Sequence, residues 1–160
     1  MIAHKATIAA LTIASAMVLV LGQVAKAQDT TAETAYKDIE ATLGSVPSFF
    51  KAFPESGIAG AWAEFKSIQL NPQSALDAKT KELLGLAVSA QIPCQYCIYF
   101  HTKAAMANGA TEEEVREAVA MAAIVRHWST VLNGMQVDEA MFRQEMDAIF
   151  ARAAEKGEAK

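Results

Sequence analysis

The sequence predicts an all-α protein, and three observations carry that reading. Apolar residues recur at spacings of four and three, as in Ala35, Ile39 and Leu43 or Phe142, Met146 and Ile149, which is the helical period. No window alternates apolar and polar residues as a half-buried strand does. Helix boundary signals separate the periodic windows: Gly44, Pro93, Gly109, and the capping box Thr111-Glu112-Glu113-Glu114.

Residues 1–28 read as an export signal. Lys5 gives a positive start, Ile8 to Leu21 is a near-continuous apolar run, and Ala25-Lys26-Ala27 has the small-x-small form of a cleavage site. The run is short for a membrane span, which takes about 20 residues; an uncleaved anchor is the alternative. No cysteine follows the run, which argues against a lipoprotein. Export, expected to the periplasm, implies an oxidising compartment in which paired cysteines stay oxidised.

Residues 29–151 read as one domain with chain enough for a core, and 152–160 as a polar tail that frays. Thr31 to Leu43 is the first expected helix, stopped by Gly44. Val46 to Pro54 is an apolar connector holding at most one helical turn, whose Phe49, Phe50 and Phe53 read as core plugs. Ile58 to Leu70 is the second helix, followed by a turn at Asn71-Pro72-Gln73-Ser74. Asp77 caps the next, whose stretch from Lys81 to Ile92 reads as buried. Pro93 stops it, having no backbone donor and pushing Ile92 from helical geometry. Proline also suits the first position of a new helix, here running from about Cys94 to Asn108 and ending at Gly109. The capping box opens a helix ending near Arg126-His127-Trp128, with a further stretch through Met135. His127 reads as an interface or core histidine. Asp138 caps the last helix.

The chain carries 14 Lys+Arg against 18 Asp+Glu, a net charge of −4. Loss of a leader holding Lys5 and Lys26 would make the remainder more acidic. That argues against a nucleic-acid partner or an anionic membrane surface.

The chemistry-bearing stretch is Pro93-Cys94-Gln95-Tyr96-Cys97-Ile98-Tyr99-Phe100-His101, which contains both cysteines of the chain. Residues three and four apart share a helix face, so Cys94, Cys97 and His101 form one stripe. The first turn of a helix has unpaired amides and the positive end of the dipole, which favour thiolate over thiol. CxxC thiols so placed have pKa values of roughly 3.5–7.5. Glu82 starts the preceding helix, and a fold-back at Pro93 brings its carboxylate toward the thiols and imidazole. There it serves as a proton holder, acting through His101 or a water.

The spacing Glu-x11-Cys-x2-Cys-x3-His, formed by Glu82, Cys94, Cys97 and His101, resembles the signature of the AhpD-like alkylhydroperoxidases. These lie within the carboxymuconolactone decarboxylase superfamily. Val46-Pro47 followed by aromatics, and Ala107-Asn108-Gly109-Ala110 before the capping box, resemble the same family. The resemblance spans about Val46 to Val137. It implies an AhpD-like helical bundle assembled as trimers or hexamers, with no cofactor, and peroxidase or disulfide-reductase activity by the CxxC pair. In the family pattern the residue at Cys97 attacks peroxide, that at Cys94 closes the disulfide and meets a thiol reductant, and Glu82 and His101 relay protons. The chain departs from the best-known peroxidases at Tyr96, where they carry a histidine; Tyr96 is expected to line the site. It departs also in its export signal, since cytoplasmic members take electrons from a lipoyl-bearing partner.

Other readings of the same residues remain open: a stabilising disulfide in a non-catalytic helical oligomer, a zinc site using Cys94, Cys97, His101 and Glu82, or activity on a small lactone or carboxylate with the thiols incidental. A bridge across two residues restrains the unfolded chain little, which favours a redox role. The apolar helix from Leu83 to Ile92 and the Phe142/Met146/Ile149 stripe predict subunit contacts.

Overall fold

The computed structural model describes residues 32–157, and the export signal expected over 1–28 lies outside them. Among the described residues every regular element is helical. These are α1 (32–43), α2 (Ser48–Lys51), α3 (Glu55–Ile68), α4 (Ala78–Gln91), α5 (Gln95–Ala107), α6 (Glu112–Gly134) and α7 (Glu139–Glu155). The chain divides into two compact units, one ending at Ser74 and one starting at Ala75; the single domain expected over 29–151 spans both.

The first unit is built from α1, α2 and α3. Gly44, at φ +81°, ends α1 in left-handed backbone that a side chain resists. Pro47 precedes α2 and Pro54 precedes α3, where a missing amide hydrogen costs nothing. Ala35, Ile39, Phe50, Ile58 and Trp62 form the core. Phe50 meets Trp62 edge-on at 5.5 Å between ring centroids, and Trp62 stacks on Phe65 at 5.6 Å. Of the three expected aromatic plugs, only Phe50 is buried; Phe49 and Phe53 are exposed. A short helix turns successive side chains about 100° apart, so adjacent Phe49 and Phe50 cannot share one face. Asp38 pins α1 to α3, accepting from Trp62 Nε1 at 2.6 Å and from Lys66 Nζ at 2.8 Å.

The second unit contains α4 to α7, and α4 packs against both α5 and α6. Asp77 caps α4, its carboxylate accepting from the Thr80 amide at 2.8 Å. Near the start of α4, Lys79 pairs with Glu114 of α6 at 2.7 Å. At its end, the Gln91 amide donates to the Ala122 carbonyl, and Arg126 Nε donates to Gln91 Oε1 at 2.7 Å. Contacts that pair start with start and end with a later turn mean that α4 and α6 run in the same direction.

Several boundaries differ from expectation. Cys94, not Pro93, occupies the junction that opens α5: it is the N-cap, and helix begins at Gln95. Helix α6 runs unbroken past Arg126-His127-Trp128 to Gly134, because no glycine or proline interrupts it there. His127 is solvent-exposed rather than core. Helix α7 persists to Glu155, where fraying was expected from Arg152. Helix α4 is buried on one side only: Leu86 is inside, while Leu84, Val88 and Ile92 are exposed. Helix α7 buries no residue within this chain. No described helix is long and apolar enough to cross a membrane.

Candidate active site

The site lies where α4 turns back into α5. The Cys94 amide donates to the Ser89 carbonyl at 3.1 Å, closing the elbow around Ile92 and Pro93. Cys94 then caps α5 with sulfur in place of the usual oxygen, its Sγ accepting from the Cys97 amide at 3.3 Å. Cys94 and Cys97 are joined by a disulfide with Cα atoms 5.3 Å apart, within the usual bridging range. Both cysteines are half-buried. The pair thus sits on the amide-rich first turn of a helix, a setting that stabilises a thiolate once the bond is reduced.

Two turns of α5 carry the chain from the elbow to His101. Its Nδ1 lies 2.7 Å from Glu82 Oε2, with the side chains 18% and 6% exposed. An ionised carboxylate only accepts, so opposite that form Nδ1 is the nitrogen that carries the proton and donates. In neutral imidazole, Nε2 is then the basic nitrogen. A carboxylate behind an imidazole orients it and favours its protonated form during proton transfer. Glu82, which taken alone would be a solvated first-turn acid, is instead buried, and its pairing with His101 compensates the burial.

The approach of His101 to α4 depends on Gly85. A Cβ there would stand 2.4 Å from His101 Cε1 and 2.8 Å from Nε2, closer than atoms pack. Glu82, Gly85 and Ser89 follow at i, i+3 and i+7, one face of a helix. Ser89 is buried, and its hydroxyl donates to the Gly85 carbonyl at 2.6 Å. Sequence reasoning brought Glu82, Cys94, Cys97 and His101 to one place but passed over Gly85 and Ser89. The signal was present as three small or polar positions at helical spacing inside an otherwise apolar run. Tyr96, expected to line the site, is 89% exposed: one position before Cys97 lies a third of a turn around α5, on the solvent side. Among the described residues no group of three or more His, Cys, Asp and Glu side chains is arranged to hold a metal ion.

A helical elbow carrying a CxxC disulfide, with a buried carboxylate–imidazole pair one turn along, defines a class of all-helical domain. Residues 57–140 match the carboxymuconolactone decarboxylase family, and the chain belongs to that family. The chain is 31% identical to the alkylhydroperoxidase AhpD core of Rhodospirillum rubrum, whose crystal structure superposes with a TM-score of 0.60 over 70% of this chain and 86% of that one. It is 36% identical over 86 residues to uncharacterized protein 4 in the cox locus of Paracoccus denitrificans, covering 51% of this chain and 78% of the relative. An uncharacterized protein of Cupriavidus necator is 29% identical over 86 residues, covering 52% and 75%. The fold is AhpD-like, and the CxxC pair accords with the alkylhydroperoxidase branch.

Proposed function

We propose that the protein is a thiol-dependent peroxidase, or more broadly a thiol–disulfide oxidoreductase, in which Cys94 and Cys97 cycle between dithiol and disulfide. The observation that carries this reading is the buried Glu82–His101 pair beside the disulfide. A purely structural crosslink has no use for a buried proton carrier. The Cys97 thiolate attacks one peroxide oxygen, the O–O bond breaks, and the departing alkoxide takes a proton supplied through His101. Cys97 is left as a sulfenic acid. The Cys94 thiol displaces its hydroxyl as water, forming the disulfide and reducing sulfenic sulfur. A dithiol reductant then exchanges with the disulfide, leaving two cysteine thiols and its own disulfide. Cys94, at the cap, is the sulfur proposed to meet that reductant.

The absence of a histidine at Tyr96 favours the broader reading, in which small disulfides are exchanged as readily as peroxides are reduced, because a tyrosine hydroxyl is a poor base near neutral pH. The leader supports export to the periplasm, which cell fractionation tests. The exposed apolar helix faces support a homo-oligomer, trimer or hexamer.

The test is turnover of hydrogen peroxide and an organic hydroperoxide with dithiothreitol as reductant. Wild type is expected to consume peroxide, Cys97→Ser to consume none, and Cys94→Ser to accumulate a sulfenic acid that a dimedone-type probe traps. If wild type reduces a small disulfide but no peroxide, the exchange reading stands alone. Turnover retained in Cys97→Ser would make the thiols incidental and point to a small lactone or carboxylate as substrate.

A further inference from the structure

Ser89 has no part in the reaction as described above, yet it is a buried residue whose carbonyl already holds the backbone of the CxxC elbow. The register of α4 against α5 fixes this. The two helices are consecutive and antiparallel: Glu82 and Gly85 stand against His101, and the Ser89 carbonyl holds the Cys94 amide. One turn toward the elbow on α4, Gly85 gives way to Ser89; one turn toward it on α5, His101 gives way to Cys97. Residues four apart lie on one face, so Ser89 and Cys97 occupy the same layer of the α4–α5 interface. Ser89 is 3% exposed.

In the disulfide form the Ser89 hydroxyl donates to the Gly85 carbonyl. That carbonyl, inside α4, already has the Ser89 backbone amide as its helical donor. The hydroxyl is therefore a second donor and leaves without orphaning its acceptor. Disulfide sulfur carries no charge and attracts a hydroxyl weakly. A thiolate is a charged acceptor, and hydrogen bonds to charged groups are about twice as strong as neutral ones.

We propose that Ser89 is the hydrogen-bond donor to the Cys97 thiolate: on reduction its hydroxyl turns from the Gly85 carbonyl to Cys97 Sγ, holding that sulfur ionised for attack. No covalent bond changes in this step, and the proton stays on the serine oxygen. The proposal rests on the assignment of Cys97 as the attacking sulfur, but its test needs no peroxide. In a Cys94→Ser background only Cys97 remains as a thiol, and its ionisation is read from the pH dependence of alkylation by iodoacetamide. Ser89→Ala in that background is expected to raise the midpoint by about one pH unit, about a tenfold loss of thiolate below it. Ser89→Thr, which keeps the hydroxyl, is expected to restore the midpoint.

An unchanged midpoint in Ser89→Ala overturns the proposal, and so does an equal shift in the alanine and threonine variants. Far-ultraviolet circular dichroism checks the helices of each. Should the alanine variant lose them, Ser89→Gly and Ser89→Thr carry the same comparison. A wild type that alkylates with a depressed midpoint yet reduces no peroxide would sink the peroxidase reading and leave this one standing.

Discussion

Gly85 admits the imidazole of His101 to the surface of α4, and Glu82 holds it there. Gly85→Ala places a methyl where the ring now lies and pushes His101 off the carboxylate. Helix propensity rises with that change by about 1 kcal/mol, so loss of activity would not reflect loss of helix. Peroxide turnover is expected to fall at least about tenfold while helical circular dichroism is kept, since positioned proton transfer contributes roughly 10²–10⁴-fold. Glu82→Gln keeps the shape but removes the charge that favours imidazolium, and a drop of on the order of a hundredfold is expected in steady-state turnover. Wild-type turnover in both variants would remove the pair from the mechanism. Glu82 and His101 were legible in the sequence as members of a spaced set. Gly85 was not, because its role is an absence of atoms that matters only once a ring from another helix arrives.

At the scale of elements, caps and pins decide where helices begin and how they lie. Thr111 opens α6 with a reciprocal box: its hydroxyl accepts from the Glu114 amide at 3.1 Å, and the Glu114 carboxylate accepts from the Thr111 amide at 2.7 Å. Glu114 also binds Lys79 of α4, whose side-chain hydrogen bond, with the Thr111 amide after it, lowers the Glu114 pKa below 4.5. Thr111→Ala is expected to cost about 1 kcal/mol, measured by urea unfolding. In the first unit, hydrogen bonds from Lys66 and then Trp62 hold the Asp38 pKa below its ordinary 3.8. A carboxylate depressed in the folded state contributes stability that is present above its unfolded pKa and lost as pH falls through the folded one. The melting temperature should therefore fall as pH drops below about 4, and less steeply in Asp38→Asn; equal slopes would show the pin to be inert. Most of these boundaries were legible, since caps, glycines and prolines act within a few residues. The unbroken run of α6 past Trp128 was written locally too, in a stretch free of glycine and proline, whereas the burial of Phe50 in place of Phe49 depends on packing partners that local pattern does not name.

For the molecule as a whole, many large apolar side chains lie exposed among the described residues. Helix α7 has no fully buried residue, while Met141, Ile149 and Phe150 are exposed. Leu84 and Met121 line a groove between α4 and α6 of about 400 Å³. Exposed apolar faces of this extent mark association surfaces, and a second copy of the chain is the proposed occupant. Light scattering is expected to give a multiple of the chain mass, and the melting temperature to rise with protein concentration, as for subunits whose folding and assembly are coupled. A species of one-chain mass with a concentration-independent melting temperature would count against assembly.

The sequence by itself determined the helices, their caps and the thiol pair at the start of α5, because each is written in residues that act on their immediate neighbours. The tertiary structure decided which side of α4 is buried, that Glu82 and His101 meet, and that Gly85 and Ser89 belong with them. Those facts follow from the register of two helices across an elbow, and register is set by how surfaces fit rather than by any local signal.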